Sequence, residues 1–329
     1  MKTVQFDRFG GPEVLELVQK PIPELHPGQV LVRVRASGVN LADTLIRENR
    51  YAVTPQLPAT PGFEVTGTIE RVATGVSGLS AGMRVAVPLF AAGAVEGGYA
   101  EYVVADADLV IPLPSGLSFE AATALMMQGL TALYLVRQTR PAGKTVLVHA
   151  AAGGVGTLLV QLAKRAGATR VIAGASSVHK LELARSLGAD AGIDYTRTDW
   201  IEAVRRETAD KGPDIIYESV GGDVTAGALE ALAPLGNLVI YGALNIQSFE
   251  LGVPELVRLI FKNQALTGFA LPTLLTPEGL RTGLVELFDL AECGELKVEI
   301  GGRFAFEQAA EAHRVLSERR SVGKLVLVA

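Results

Sequence analysis

Cysteine is almost missing from this 329-residue chain, where Cys293 stands alone. A single cysteine cannot form an intramolecular disulfide, and it cannot supply the four thiolates of a structural zinc site. A reducing cytoplasm is therefore the expected compartment. Histidine is also sparse. His26, His149, His179 and His313 are scattered and show no His-x-x-x-His spacing. His149 ends an apolar run and is expected in the core, and the other three at the surface. An excess of positive charge is lacking as well. The formal net charge of −5 argues against nucleic acid as a partner. Long hydrophobic runs are absent, since no stretch reaches the roughly 18 consecutive apolar residues of a membrane span. The charged start MKTVQFDRFGG does not read as a signal peptide. No membrane partner is expected.

Hydrophobic residues (49%) and glycine (36 residues) are plentiful. At roughly 100–200 residues per domain, the length suggests two domains, each able to bury a core.

The chain changes rhythm near residue 118. Before it come short β-branched runs: QVLVRVRASGV (29–39), FEVTGTIERVAT (63–74), MRVAVPLF (83–90) and YAEYVVAD (99–106), separated by Gly and Pro. Ser118 then reads as a helix N-cap. After it, strands alternate with helices. The strands are TVLVHA (145–150), RVIAGA (170–175), AGIDY (191–195), DIIYES (214–219), NLVIYGA (237–243) and ALTGFAL (265–271). The intervening helices are expected at 154–166, 178–187, 199–208 and 223–233. This alternation predicts βαβ units on a parallel sheet. The tail is expected to form helices at 277–293 and 304–319, then a strand at 324–329. That last strand needs a partner, which the front β domain can provide. The second domain therefore reads as inserted into the first.

The sharpest signal is TVLVHAAAGGVGTLLVQLAKRAG (145–167), in which a buried strand runs into a glycine turn that opens a helix. Ala151-x-Gly153-x-x-Gly156 is a dinucleotide fingerprint with alanine at its first glycine. The helix N-terminus offers N–H groups and a positive dipole end to phosphates. A purely structural glycine turn is the competing reading. NAD sites usually carry an acid about 20 residues further on. Here Ala175, Ser176, Ser177 and Lys180 stand at that strand end, a set suited to a 2′-phosphate and so to NADPH.

At this point the chain resembles the zinc-free quinone oxidoreductase branch of the medium-chain dehydrogenases/reductases. The likeness spans the whole chain. It rests on Gly38-Val-Asn40-Leu-Ala-Asp43 with Arg47 and Tyr51, Pro61-Gly-Phe63-Glu64-x-x-Gly67, and Gly98-Tyr-Ala-Glu-Tyr102. It also rests on Gly129-Leu-Thr131, the glycine cradle, Lys180, Asp194-Tyr195 and Gly323-Lys324. The resemblance implies an α/β architecture: a chaperonin-10-like β domain (1–118 and 272–329) with an inserted Rossmann-type, doubly wound domain (119–271). The cofactor is then expected in the cleft between them, and the chain as a homodimer.

The resemblance also implies residue roles. Asn40, Asp43, Gln128 and Thr131 would line the nicotinamide end. Ala152, Gly153, Gly154 and Val155 would hold the pyrophosphate. Val220, Tyr241, Gly242, Ala243, Phe269 and Leu271 would flank the ring and ribose. Ser176, Ser177, Lys180, Tyr195 and Arg319 would hold the adenosine 2′-phosphate. Zinc-dependent relatives place Cys, His and Cys where this chain has Asn40, Phe63 and the neighbourhood of Met127, which offer no set of zinc ligands. Without a Lewis acid, the acceptor must take hydride readily by itself, as a quinone or a carbonyl-conjugated double bond does. Tyr51 is the candidate proton donor, with Asn40 and Asp43 beside it. Leu45, Phe90, Leu130 and Leu271 would make the pocket apolar. Relatives often carry glycine where Asn49 stands and tyrosine where Leu45 stands, which leaves the acceptor open. The alternatives are an NADPH-dependent enone or enoyl-thioester reductase and a non-catalytic NADPH-binding protein.

Overall fold

The alternating run 29–39 forms the strand on which the first unit is built. The computed structural model describes residues 1–93, 97–242 and 250–329. The chain divides into two compact units, Met1–Leu130 with Leu275–Ala329, and Thr131–Leu274. The first boundary thus falls at 130/131 instead of 118/119, because the helical run that starts at Phe119 continues past Leu130.

In the first unit the strands are β1 (Lys2–Gln5), β2 (Glu16–Gln19), β3 (Gln29–Val39), β4 (Val65–Val72), β5 (Arg84–Val87), β6 (Tyr102–Asp106), β7 (Ile111–Pro112), β14 (Ile300–Ala305) and β15 (Lys324–Val328). Helices α1 (Leu41–Arg47), α2 (Phe119–Ala124), α10 (Pro277–Glu292) and α11 (Ala309–Ser317) belong to it too. The main sheet runs β14-β15-β3-β4-β5-β7, with β6 also paired to β3. As expected, β15 from the chain's end pairs antiparallel with β3, Val326 opposite Gly38. Val30, Val32 and Val34 turn one face of β3 into the core with Val65, Ile69 and Leu327. Each such fully buried side chain contributes about 1.5–3 kcal/mol. Ser118 caps α2 by accepting from Ala121 N–H at 3.1 Å.

The second unit holds β8 (Thr145–Val148), β9 (Arg170–Ala175), β10 (Ala191–Asp194), β11 (Ile215–Glu218), β12 (Asn237–Ile240) and β13 (Ala265–Gly268). Its helices are α3 (Leu130–Thr139, which begins one residue earlier, in the first unit), α4 (Gly154–Arg165), α5 (Val178–Ser186), α6 (Trp200–Glu207), α7 (Asp223–Ala231), α8 (Val253–Lys262) and α9 (Leu271–Leu274). The sheet order is β10-β9-β8-β11-β12-β13, parallel throughout. The winding reverses between β8 and β11. In such sheets ligands bind beyond the carboxyl ends of the strands at that reversal. The sole tryptophan, Trp200, packs into the core with Leu147, Ile172 and Ile216.

Two expectations need correction. Residues 304–319 do not form one helix: β14 reaches Ala305, a 3₁₀ turn covers Phe306–Gln308, and α11 follows. The Gln308 side chain accepts from Ala305 N–H at 3.0 Å and ends the strand there. His313 is fully buried instead of at the surface, with Arg47 Nη1 and Tyr99 Oη each 3.0 Å from its ring nitrogens. The helical run Phe119–Thr139 contains Glu120, Gln128 and Arg137, so the expectation of no 18 consecutive apolar residues stands. By length and mean hydropathy alone the run could cross a membrane, and 67% of its most apolar 18-residue window is buried, as in a core helix.

Candidate active site

The second unit supplies a phosphate cradle. β8 ends at Val148, and Gly153 caps α4. Gly153 N–H donates to Ala150 O at 2.8 Å, which closes the turn. A Cβ on Gly156 would lie 2.2 Å from Ala150 O and 2.7 Å from Ala151 Cα, both backbone atoms that cannot yield. Ala152 is buried, and Gly153, Gly154 and Val155 are half-buried at the helix start. The first-turn N–H groups have no intrahelical acceptors and face outward along the helix axis. These are features that fit a pyrophosphate.

His149 and Glu218 lie at the ends of β8 and β11 and pair through Nδ1. Glu218 also accepts from Val220 N–H at 2.5 Å and Gly221 N–H at 2.8 Å. Burial opposes its charge, and the His149 partner with these two N–H donors holds its pKa below the usual carboxylate value. Val220, itself buried, is thereby fixed.

At the end of β9, Ser176, Ser177 and Lys180 share one junction. Ser177 is the N-cap of α5, accepting from Lys180 N–H at 3.4 Å. The cap therefore falls on Ser177 and leaves Ser176 out of that role. Tyr195 N–H donates to Ala175 O at 3.2 Å, and its ring stands edge-on to His149, with centroids 5.7 Å apart. Arg319 belongs to the first unit, exposed in the turn after α11 at φ 57°.

Tyr241 N–H donates to Glu218 O at 3.0 Å and Phe269 N–H to Ile240 O at 2.8 Å, which aligns the ends of β11, β12 and β13. Tyr241, Gly242 and Phe269 border a cavity of about 600 Å³ with Gln138 and Leu274. Leu271 is buried at the start of α9 and does not line that cavity. Thr131 is buried on α3. Ala243 lies outside the described residues.

The first unit supplies a cluster built on Asn40, the N-cap of α1. Asn40 Oδ1 accepts from Gln128 Nε2 at 2.7 Å and from Lys324 Nζ at 2.9 Å. Asn40 Nδ2 donates to Glu64 Oε1 at 3.1 Å. Lys324 Nζ also donates to Glu64 Oε1 at 2.6 Å and to Gln128 Oε1 at 2.7 Å. All four side chains are buried. Gln128 sits in a π-helical turn, Leu125–Gly129, and Glu64 Oε2 accepts from Met127 N–H at 2.7 Å. Burial pulls the Lys324 pKa down, and the Glu64 carboxylate opposes this.

Asp43 lies beneath this cluster, 1% exposed. Its carboxylate accepts from Asn40 N–H at 2.8 Å and Gly62 N–H at 2.9 Å. Burial lifts its pKa to about 7 despite those bonds and the Lys324 charge. Asp43 thus ties the start of α1 to the Pro61–Gly62 segment. Tyr51 is 40% exposed and stands edge-on to Phe63, with ring centroids 6.4 Å apart. Burial and the Asp43 charge raise its pKa, so the phenol keeps its proton. Leu45 is half-buried, whereas Leu130 is fully buried and Phe90 nearly so, which makes the latter two core residues. Asn49 ends α1 with φ 53°, a left-handed conformation that glycine favours and asparagine tolerates.

Lys324 and Glu64 carry more of the site than the sequence indicates. The available signal was a lysine opening an otherwise apolar terminal strand, which needs a buried counter-charge. Among the described residues no three His, Cys, Asp or Glu side chains gather as a metal group.

Two family models match the chain: an alcohol dehydrogenase GroES-like domain over residues 26–115, and a zinc-binding dehydrogenase domain over 154–289. A quinone oxidoreductase of Pseudomonas aeruginosa is 39% identical over 99% of both chains. A 2-haloacrylate reductase of a Burkholderia species is 33% identical, covering 97% of this chain and 96% of its own. The crystal structure of Escherichia coli quinone oxidoreductase complexed with NADPH superposes with a TM-score of 0.91 at 31% identity, covering both chains completely. With a GroES-like sheet, a parallel doubly wound sheet and full-length likeness to these enzymes, the chain belongs to the quinone oxidoreductase branch of the medium-chain dehydrogenase/reductase superfamily.

Proposed function

We propose that this oxidoreductase uses NADPH to reduce quinones or related conjugated carbonyls, and does so without zinc. One observation carries the reading. In the neighbourhood where zinc-dependent relatives hold their metal, Lys324 brings an ammonium against the oxygens of Asn40, Glu64 and Gln128. A fixed positive charge there competes with a metal cation, and amides are poor zinc ligands.

When bound, NADPH supplies the hydride. The first turn of α4, with Gly153, Gly154 and Val155, would hold its pyrophosphate. Ser176, Ser177, Lys180 and Tyr195 would hold its 2′-phosphate, with Arg319 as a further cation for that group. Tyr241, Gly242 and Phe269 would bound the ring and ribose. Asn40, placed by Asp43 and the Lys324 cluster, would meet the reacting end, and Tyr51 would return a proton to the reduced acceptor. Exclusion of water and positioning do the rest.

NADPH oxidation against 1,4-benzoquinone, a naphthoquinone and a series of enones, with NADH as control, tests the reading. Fast turnover with quinones supports it; turnover confined to enones or 2-haloacrylates supports the second reading, which the Burkholderia relative favours. NADPH binding without turnover of any acceptor rejects both. Tyr51→Phe is expected to lower kcat by about 10²-fold or more; a variant at full kcat removes Tyr51 as donor.

The same proposal includes a homodimer. β13 is the edge of the parallel sheet, and beside it α8 turns Val253, Leu256, Val257, Ile260 and Phe261 outward, Phe261 being 82% exposed. An apolar stripe next to an open edge suits a second copy of the chain.

A further inference from the structure

Lys324 opens β15 with its ammonium buried. An ammonium has three N–H donors and no acceptor. Here all three are used: on Asn40 Oδ1 at 2.9 Å, Glu64 Oε1 at 2.6 Å and Gln128 Oε1 at 2.7 Å. The consequence falls on the two amides. If either were turned over, its NH₂ would face the ammonium, donor against donor. The cation therefore dictates which way both amides point.

Asn40 Oδ1 takes its second bond from Gln128 Nε2 at 2.7 Å, so it has no lone pair to spare. Asn40 Nδ2 spends one hydrogen on Glu64 Oε1 at 3.1 Å. One N–H remains on each amide. The cluster has also shaped its surroundings. A Cβ on Gly38 would lie 2.2 Å from Glu64 Oε1, so glycine there leaves room for the carboxylate.

We propose that Lys324 is a positioning residue for the reduction: it occupies the acceptors of Asn40 and Gln128 and leaves their N–H groups to meet an oxygen that gains negative charge. This rests on the reading above that the acceptor is a quinone or conjugated carbonyl. In that reaction hydride passes from NADPH to the acceptor and leaves NADP⁺. The electron pair displaced from the acceptor's double bond settles on its carbonyl oxygen, and a proton from solvent or Tyr51 completes the reduction. Two oriented amide N–H groups stabilise the oxyanion more than they do the neutral carbonyl. Lys324 touches neither reactant and acts through the amides.

Lys324→Met alone strands the Glu64 charge and can unfold the unit, so Lys324→Met/Glu64→Gln is the informative partner. Three quantities are measured on the full chain: kcat with benzoquinone, the NADPH dissociation constant by fluorescence, and hydrogen exchange of the Asn40 side-chain amide. The amide signal is assigned against Asn40→Asp. The double variant is expected to keep near wild-type Tm and NADPH affinity, lose about 10- to 100-fold in kcat, and exchange its Asn40 amide protons faster. Recovery of kcat together with Tm would show a merely structural ion pair and overturn the proposal. Unchanged amide exchange would overturn it too. If the wild type turns over no quinone or enone, the reading of function fails, and amide exchange still decides the role of Lys324.

Discussion

Asp43 is the residue at which pH and stability meet. Its folded-state pKa is raised by burial to about 7, against about 3.9 for a free aspartate. The folded chain therefore holds this proton more tightly than the unfolded chain does. The resulting stability is fully present below about pH 4 and is lost as pH rises through 7. That difference corresponds to at most about 4 kcal/mol. Asp43→Asn keeps an acceptor for one of the two N–H groups and removes the titration. Wild-type Tm is expected to fall between pH 5 and 8 more steeply than that of Asp43→Asn; equal slopes would rule out Asp43 as the titrating group. At this scale the sequence is legible where a residue type is tied to local geometry. Ser118 as a cap and the glycines of the cradle are such cases. Lys324 is not: it meets Asn40 across 284 positions of sequence, and spacing carries no information about such a contact.

At the scale of elements, the strands that alternation and glycine punctuation mark are right to within a few residues at each end, 29–39 without error, whereas β1, β2 and β7 are not marked. Where one face is buried, period two is imposed by the pleat. The reading fails where an element takes its form from a distant partner. Phe304 reads as helical with the residues after it, yet β14 is held as a strand by pairing parallel to β15, with Phe304 opposite Leu327. Gly156 shows how tightly an element junction can be specified. Gly156→Ala is expected to destabilise the second unit by about 1–3 kcal/mol and to weaken NADPH binding, because its methyl would press on the backbone of Ala150 and Ala151. Thermal melting and a fluorescence titration check this, and an unchanged variant would mean the turn relaxes freely. α8 is a different case. Its apolar positions 253, 256, 257, 260 and 261 have the spacing of a core-facing stripe, but the structure turns that stripe outward. Ile260→Glu/Phe261→Asp is expected to convert the proposed dimer to a monomer in sedimentation, with little change in the fold of the unit. A wild-type monomer, or a variant that sediments as the wild type does, would exclude this face.

For the whole molecule, the insertion was legible because an apolar strand at the chain's end had to pair somewhere, and β15 does pair with β3. The exact junction was not legible, since helix propensity continues unbroken from α2 through the π turn to α3. A ligand that binds only the folded chain stabilises it by RT ln(1 + [L]/Kd), about 2.7 kcal/mol at a hundred times Kd. At about 2–4 °C per kcal/mol for a unit of this size, NADPH at that level is expected to raise Tm by roughly 5–10 °C. NADH lacks the 2′-phosphate, so at the same concentration it is expected to give a much smaller shift. Lys180→Ala then separates the two cofactors: it lowers the NADPH shift and leaves the NADH shift nearly as it was, because only the 2′-phosphate loses a cation. If both shifts fall together, Lys180 supports the junction of β9 and α5 rather than the phosphate. Equal shifts for both cofactors in the wild type would instead move the preference away from Ser176, Ser177 and Lys180 altogether.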